Sequence, residues 1–276
     1  MTNERLGASY ALGYTTEENN RLMRQAALLA PCTERLFRAA GIGPGDRVLD
    51  LGSGVGDVSL LAARLVGPAG IVIGVERSAE SIAQAEARVA AAGLGNVSFR
   101  QGDATEVVVS EAFDAIIGRF ILMYLREPAQ TLRRLKPLLR PRGTIAFLEP
   151  SWAAARGPSA HLPLYSACAG AIVAAFRASG VNPEMGGALH RAYVDAGLPA
   201  PTMTIEILLG ADEEFTRALC DILRSLEPAA RRSGVPLEAL GDFSTLQARL
   251  QSELQESGDP IAWLAGHVGA WSRLTG

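Results

Sequence analysis

The chain has 276 residues, and its 26 basic and 29 acidic side chains give a formal net charge of −3 with no basic run or stripe. Proteins that bind a nucleic-acid backbone carry a basic footprint, so this composition excludes that class of partner from our expectations. The three cysteines are odd in number and far apart, which argues against a disulfide framework and against a zinc site. No apolar run reaches the roughly 20 residues of a membrane-spanning helix, and no signal-peptide pattern is present. We therefore expect a cytoplasmic protein with no bound metal, no membrane partner and no nucleic-acid partner.

Residues 1–40 predict an N-terminal helical arm. Apolar side chains recur at helical spacing between Thr16 and Ala40, and Pro31 is expected to divide this segment into two helices. The turn sequence Gly43-Pro44-Gly45-Asp46 then ends the arm and starts the first strand.

Residues 41–150 alternate between strand and helix. The predicted strands cover Arg47–Leu51, Ile71–Val75, Asn96–Gln101, Phe113–Gly118 and Thr144–Leu148. The predicted helices cover Asp57–Val66, Ser78–Ala92 and Pro128–Leu139. Because short links join the strands to the helices, the pattern predicts an α/β fold with a parallel, doubly wound sheet.

The regular alternation ends after Pro150. We expect a cap insertion over residues 151–195, a core strand within 196–210, a helical cap insertion over 211–260 and a final core strand within 261–276. The segment His267 to Leu274 is short enough for a strand at the sheet edge. The apolar content of the insertions favours an apolar pocket beneath the cap.

The sequence Val48-Leu49-Asp50-Leu51-Gly52-Ser53-Gly54-Val55-Gly56-Asp57 predicts a buried strand, a glycine loop and the start of a helix. Glycines at every second position permit a sharp turn and let a ligand lie against the main chain. A strand, a glycine turn and a helix N-terminus together form the nucleotide-binding corner of a doubly wound sheet.

A charged residue stands at the end of each of the five predicted strands, at the edge where open parallel sheets bind ligands. These residues are Asp50, Glu76, Asp103, Arg119 and Glu149. Asp50 would repel the pyrophosphate of a nicotinamide dinucleotide, and the loop lacks the final spacing of the dinucleotide fingerprint. S-adenosylmethionine (SAM) carries adenine, ribose and a net positive tail, so this acidic edge favours SAM. Glu76 is placed to accept the ribose hydroxyls, and Asp103 is placed to accept the adenine amino group.

The glycine-loop sequence resembles the first signature of the class I SAM-dependent methyltransferases. Four later segments match the family's other signatures in order and spacing: Gly74-Val75-Glu76, Gly102-Asp103-Ala104, Phe113-Asp114-Ala115-Ile116-Ile117 and Arg140-Pro141-Arg142-Gly143-Thr144. The resemblance covers residues 40 to 150. It implies a Rossmann-like, doubly wound, mostly parallel seven-stranded sheet whose last strand is antiparallel, with helical cap insertions and with SAM as cofactor.

The resemblance also implies roles for individual residues. The loop residues Gly52, Ser53 and Gly54 would bind the methionine part of SAM beside Asp50. Around the rest of the cofactor, the implied contacts are Glu76 at the ribose, Arg77, Gly102, Asp103 and Ala104 at the adenine, and Gly118 and Arg119 near the sulfonium. The opening Tyr10-Ala11-Leu12-Gly13, with Glu18, Arg21 and Gln25, is similar to a bacterial subgroup that acts on small molecules and closes an N-terminal arm over SAM. Tyr10, Arg21 and Gln25 are therefore expected at the cofactor.

The residues after the fifth strand supply candidates for the acceptor side. We predict Glu149 and His190 as catalytic residues, with His267 as a further candidate. The predicted substrate-binding residues are Tyr14, Trp152, Tyr165 and Tyr193. The expected function is methyl transfer from SAM by in-line displacement to a small, hydrophobic organic acceptor. The alternatives are a methyltransferase acting on RNA or protein and a protein that binds SAM without transferring its methyl group, and association into a homodimer stays open.

Overall fold

The computed structural model describes residues 16–107 and 112–275, and for residues 16, 17, 19, 155 and 156 it describes the main chain alone. Within these residues seven strands form one sheet. The strands are β1 (Arg47–Leu51), β2 (Ile71–Glu76), β3 (Val97–Gln101), β4 (Phe113–Arg119), β5 (Leu139–Ser151), β6 (Thr202–Gly210) and β7 (Ala262–Arg273). Their order is β3-β2-β1-β4-β5-β7-β6, and all neighbouring pairs are parallel except those that β7 makes. The predicted doubly wound sheet with an antiparallel last strand is confirmed.

The position of the final strand differs from the prediction. β7 begins five residues before His267 and pairs with both β5 and β6, so β6 is the edge strand instead. The physical reason is visible in the burial of the two strands. Nearly every residue of β7 is buried, as an inner strand requires, whereas β6 exposes Ile205 and Leu209.

The helices fill both faces of the sheet and form its cap. They are α1 (Thr16–Ala39), α2 (Asp57–Val66), α3 (Ala79–Ala91), α4 (Pro128–Leu135), α5 (Ala153–Arg156), α6 (Pro163–Ala178), α7 (Met185–Asp195), α8 (Glu213–Arg232) and α9 (Leu246–Glu256). Ser78 caps α3 as predicted, because its hydroxyl accepts the main-chain N–H of Ser81. No helix in the described ranges combines the length and the apolar character that a bilayer crossing requires.

Two helix predictions were wrong, and a proline is involved in each. α1 continues through Pro31, whose ring faces solvent, because Leu29, Cys32 and Phe37 are buried on either side and their packing offsets the lost hydrogen bond. α4 ends at Leu135 rather than Leu139, because Pro137 has no N–H to continue the α-helical ladder.

The core has two layers, one on each face of the sheet. Adjacent residues of β1 point to opposite layers, as strand geometry requires. Val48 packs with Phe37 of α1 and Val58 of α2, whereas Leu49 lies in the layer that holds Leu132 of α4. This arrangement leaves the carboxyl ends of the strands as the place where a ligand can enter.

Candidate functional site

A cavity of about 640 Å³ lies at the carboxyl edge of the sheet. The loop after β1, the ends of β2 and β4 and the segments after β3 and within β5 form its floor, and residues of α1 and α8 cover it. The cavity brings together the catalytic candidate His267 and twelve of the predicted binding residues: Arg21, Gln25, Gly52, Ser53, Gly54, Glu76, Arg77, Gly102, Asp103, Ala104, Arg119 and Trp152. Their individual binding roles stay predictions.

The glycine loop is held open toward the cavity. Its first two N–H groups, from Gly52 and Ser53, donate to the carbonyl of Val75 at 2.9 and 3.0 Å. Gly52 has a φ of 68°, and a Cβ there would lie 2.6 Å from Ile121. At Gly54, with a φ of 53°, a Cβ would meet no atom within 4 Å, so the main chain borders open space. A ligand can therefore lie directly on the loop, as the glycine spacing predicts.

Glu76 is fixed beside this loop by three main-chain donors. Its Oε2 accepts the N–H of Gly54 at 3.1 Å, and its Oε1 accepts those of Arg77 at 2.7 Å and Ser78 at 2.9 Å. A carboxylate oxygen can accept more than one hydrogen bond, so this side chain keeps acceptor capacity toward the cavity. The geometry fits a diol such as a ribose.

Asp103 is a fixed carboxylate at the far end of the same floor. Thr105 donates its N–H at 2.8 Å and its hydroxyl at 2.6 Å to Oδ1, and the Arg77 guanidinium lies 3.7 Å from Oδ2. Burial alone would raise the pKa of Asp103, but these bonds and the charge of Arg77 outweigh it and hold the pKa below its ordinary value. Asp103 therefore stays an anion that can accept an amino group.

Asp50 does not line the cavity, although the sequence places it with the cofactor residues. Its side chain is 1% exposed and lies behind the loop, where Oδ2 accepts the hydroxyl of Ser59 at 2.6 Å. Burial raises its pKa to about 7. The expected repulsion of a pyrophosphate by Asp50 is weakened accordingly, because this carboxyl is buried and close to half protonated at neutral pH.

Glu149 also lies outside the cavity, contrary to its predicted catalytic role. It is 0% exposed and accepts three main-chain N–H groups of the turn after β4, from Ile121 at 3.0 Å, Leu122 at 2.8 Å and Met123 at 3.2 Å. Burial raises its pKa to about 8. The carboxyl group positions this turn and does not touch the space where a substrate can bind.

Four other residues that were predicted at the site lie outside the cavity. His190 is exposed on α7, outside the cavity, and Gly118 is buried within β4. Tyr165 is buried and donates its hydroxyl to the carbonyl of Trp263, and Tyr193 donates to that of Ala270. Both tyrosines are therefore core residues, contrary to their predicted place at the substrate, because their hydroxyls bind main-chain carbonyls inside the core. Tyr10 and Tyr14 lie outside the described residues.

The arm helix α1 lies over the cavity and is tied to α8. Arg21 makes a two-point ion pair with Glu18 at 2.7 and 2.8 Å, and Ser225 donates its hydroxyl to the same glutamate at 2.7 Å. Arg24 binds Asp221 at 2.7 and 3.0 Å. These bonds hold α1 and α8 together as a roof.

Much of the roof and the apolar end was not predicted from the sequence. The missed lining residues include Leu22, Leu28, Phe120, Leu208, Arg217, Ala218, Asp221, Ile222, Leu264 and Ala265. One signal was available, because Glu214, Arg217, Ala218, Asp221 and Ile222 recur at the spacing of one helix face.

Comparisons with known proteins agree with this geometry. A family model described as a methyltransferase domain matches residues 42–176. An arsenite methyltransferase of Halobacterium salinarum is 35% identical over 140 residues, which cover 50% of this chain and 36% of that protein. A ubiquinone/menaquinone biosynthesis C-methyltransferase of Cellvibrio japonicus is 34% identical over 115 residues, 41% of this chain and 46% of that protein. The matches thus span less than half the length of either relative.

The YcgJ protein of Bacillus subtilis has the same fold. Its crystal structure superposes with a TM-score of 0.57 over 88% of this chain and 98% of that one, at 16% identity. The structural similarity to this protein therefore extends beyond residues 42–176, which the family model matches. Residues 42–176, just under half of the chain, therefore match a methyltransferase domain in sequence, and the fold of this segment agrees with that match.

Proposed function

We propose that this protein transfers the methyl group of SAM to a small, hydrophobic organic acceptor. The observation that carries the proposal is the continuity of the cavity, which joins the glycine loop to an apolar end that includes Trp152, Phe176 and Leu264. Its volume lies within the range of roughly 300 to 1,000 Å³ that small-ligand sites occupy. Such a space can receive a cofactor and an acceptor side by side.

The polar floor suits the cofactor. Glu76 offers anchored oxygens to the ribose hydroxyls, Asp103 offers a carboxylate to the adenine amino group, and Arg77 lies beside it. The open main chain at Gly54 suits the methionine part. Bound there, SAM supplies an activated methyl group.

The chain's own task is to orient the two reactants and to exclude water. The floor fixes the donor, while the roof of α1 and α8 covers the cavity and keeps the acceptor in line with the methyl group. The apolar end with Trp152, Phe176 and Leu264 favours an apolar acceptor.

The names of the two relatives suggest different acceptors, and the cysteines help to choose between them. Arsenic(III) compounds are soft and prefer thiolate ligands. Cys32, Cys168 and Cys220 are buried, none of them lines the cavity in the described part of the chain, and burial raises the pKa of each thiol. The cavity therefore fits an organic acceptor of the quinone-precursor kind better than arsenite.

The test is to incubate the purified protein with methyl-labelled SAM and a bacterial extract, and then to separate organic-soluble compounds, RNA and protein. We expect the label in the organic-soluble fraction, with no transfer by Glu76→Ala and unchanged transfer by Glu80→Ala, an exposed glutamate outside the cavity. Label in RNA or protein alone would replace the proposal by methylation of a macromolecule. SAM binding without any transfer would favour a SAM-binding protein.

A further inference from the structure

His267 is the histidine that lines the cavity. It lies on β7 between Pro150 of β5 and Glu206 of β6. Its side chain is 7% exposed, and its ring is 5.8 Å from that of Phe120, centroid to centroid. The other two histidines of the chain, His161 and His190, lie outside the cavity. A nearly buried imidazole that lines a site calls for a polar partner.

The ring has unused hydrogen-bonding capacity. Nδ1 is enclosed and has no partner within the described residues. Nε2 is not among the enclosed atoms that lack a partner, and His267 lines the cavity, so we infer that a bound molecule would approach the imidazole at Nε2. The main chain of Glu206 is a hydrogen-bonding neighbour of the ring, and the cavity is the side from which a bound molecule would approach it.

The charges around the ring keep it neutral. Burial and the positive charge of Arg119 on β4 together lower the pKa of His267 to about 4, although the main-chain hydrogen bond and the charge of Glu206 act in the opposite direction. Glu206 is itself paired with Arg35. Pro150, the neighbour on β5, carries no charge. A neutral imidazole can accept a proton, which an imidazolium cannot.

Arg119 is a second polar group that lines the cavity, and its charge acts on His267. Its guanidinium lines the cavity and donates to the hydroxyl of Thr33 at 3.2 Å, and no carboxylate pairs with it in the part of the chain that the structure describes. A partly desolvated cation of this kind stabilises an anion that forms beside it and disfavours a second cation. An acceptor that becomes negative fits, whereas an amine acceptor, which becomes positive, does not.

Resting on the proposed function, we propose that the acceptor is a phenol or an enol, that His267 takes the proton of its hydroxyl, and that Arg119 stabilises the resulting oxyanion. The O–H proton moves to Nε2 of His267, and the oxygen electron pair forms the new O–CH₃ bond. The S–CH₃ bond breaks, its electron pair stays on sulfur, and S-adenosylhomocysteine is released. The imidazolium then returns its proton to solvent.

Burial and the charge of Arg119 make this imidazole a weak base, so proton transfer depends on how the reaction changes the acidity of the two groups. The Arg119 cation and the sulfonium both lower the pKa of a hydroxyl beside them. The oxyanion that forms in turn raises the pKa of the imidazole. The difference between the pKa of the acceptor hydroxyl and that of the His267 imidazole therefore becomes smaller as the methyl group is transferred.

The test uses the purified full chain, labelled SAM, and pairs of para-alkylphenols and para-alkylanilines of equal chain length. We expect the phenols to be O-methylated in preference to the anilines. His267→Gln should bind SAM as tightly as the wild type by calorimetry but lose a factor of about 10² to 10⁴ in turnover at neutral pH. The matched control His161→Gln, an exposed histidine outside the cavity, should keep full turnover.

The pH profile separates a proton acceptor from a structural residue. The wild-type rate should be flat through neutral pH, because His267 is already neutral there. The His267→Gln rate should rise about tenfold per pH unit until the phenol itself ionises, and fluorinated, more acidic phenols should restore it. Equal turnover in both proteins, preferential methylation of the anilines, or failure to label any phenol while SAM binds would each overturn this assignment. Failure of the wild type to bind SAM would instead overturn the proposed function itself.

Discussion

Replacing Asp50 by asparagine is expected to remove a pH-dependent loss of stability. Asp50 is 1% exposed, its Oδ2 accepts the hydroxyl of Ser59, and its Oδ1 has no partner among the described residues. Burial raises the pKa of this carboxyl from 3.8 to about 7, and the bond from Ser59 limits the rise. The folded protein therefore holds a proton here that the unfolded chain has already released.

The sign and the magnitude follow from linkage. Because the folded-state pKa lies above the unfolded value, the stabilising contribution is complete below about pH 4 and is lost as the pH rises toward about 7. Each pH unit within that window removes about 1.4 kcal/mol. Between about pH 5 and pH 8 this group alone should lower the free energy of unfolding by roughly 3 kcal/mol. Asparagine keeps an oxygen for the Ser59 hydroxyl and does not titrate. The free energy of unfolding of the Asp50→Asn variant should therefore lack this pH-dependent decrease.

Urea unfolding of both proteins at several pH values between about 5 and 9 measures the difference. The free-energy difference should shift by roughly 3 kcal/mol in favour of asparagine across this range. The buried amide nitrogen adds a penalty of about 1–3 kcal/mol that does not depend on pH, so the slope is the diagnostic quantity. Ser59→Ala removes a hydrogen bond that lowers the pKa of Asp50. In this variant the decrease in the free energy of unfolding should therefore continue to a higher pH. A difference that is constant within about 0.5 kcal/mol would show that Asp50 is ionised throughout, and would refute the reasoning.

Three further substitutions test how the site is held. Glu149→Ala removes the acceptor of three main-chain N–H groups and should lower the free energy of unfolding by about 3–5 kcal/mol, and an unchanged urea midpoint would contradict this. Gly52→Ala combines a positive φ with a Cβ contact at 2.6 Å to Ile121, so we expect both weaker SAM binding by calorimetry and a lower thermal midpoint. Arg24→Ala breaks an ion pair whose arginine is half exposed, and should change the free energy of unfolding by less than about 1 kcal/mol in urea titrations.

The sheet and the glycine loop were predictable because their signals are local. Strand and helix alternation, the turn residues and the Ser78 cap each depend on a few neighbouring residues, and each is present in the structure. The number of strands and the antiparallel last strand came from the family resemblance, which fits this topology. Proline effects were harder, since Pro31 stays within a helix that tertiary packing stabilises.

The placement of charged residues depended on where each strand truly ends. Glu76 and Arg119 are the last residues of β2 and β4, and both line the cavity. Asp50 precedes the last residue of β1, and Glu149 lies within β5, which continues to Ser151. A shift of one or two residues in a strand end therefore decides whether a carboxylate meets a ligand or a buried hydroxyl, and sequence patterns do not define strand ends that closely.

The acceptor end depends on long-range topology, which no local pattern contains. Tyr165 and Tyr193 follow the fifth strand in sequence and have suitable chemistry, yet their hydroxyls bind carbonyls of the main chain inside the core. His267 is far from the glycine loop in sequence, but β7 enters the sheet between β5 and β6 and brings it to the cavity that Arg119 lines. Insertion of the last strand beside β5, rather than at the edge, thus supplies an uncharged imidazole to the acceptor end. If the acceptor is a hydroxyl compound, this strand order is what makes its deprotonation possible.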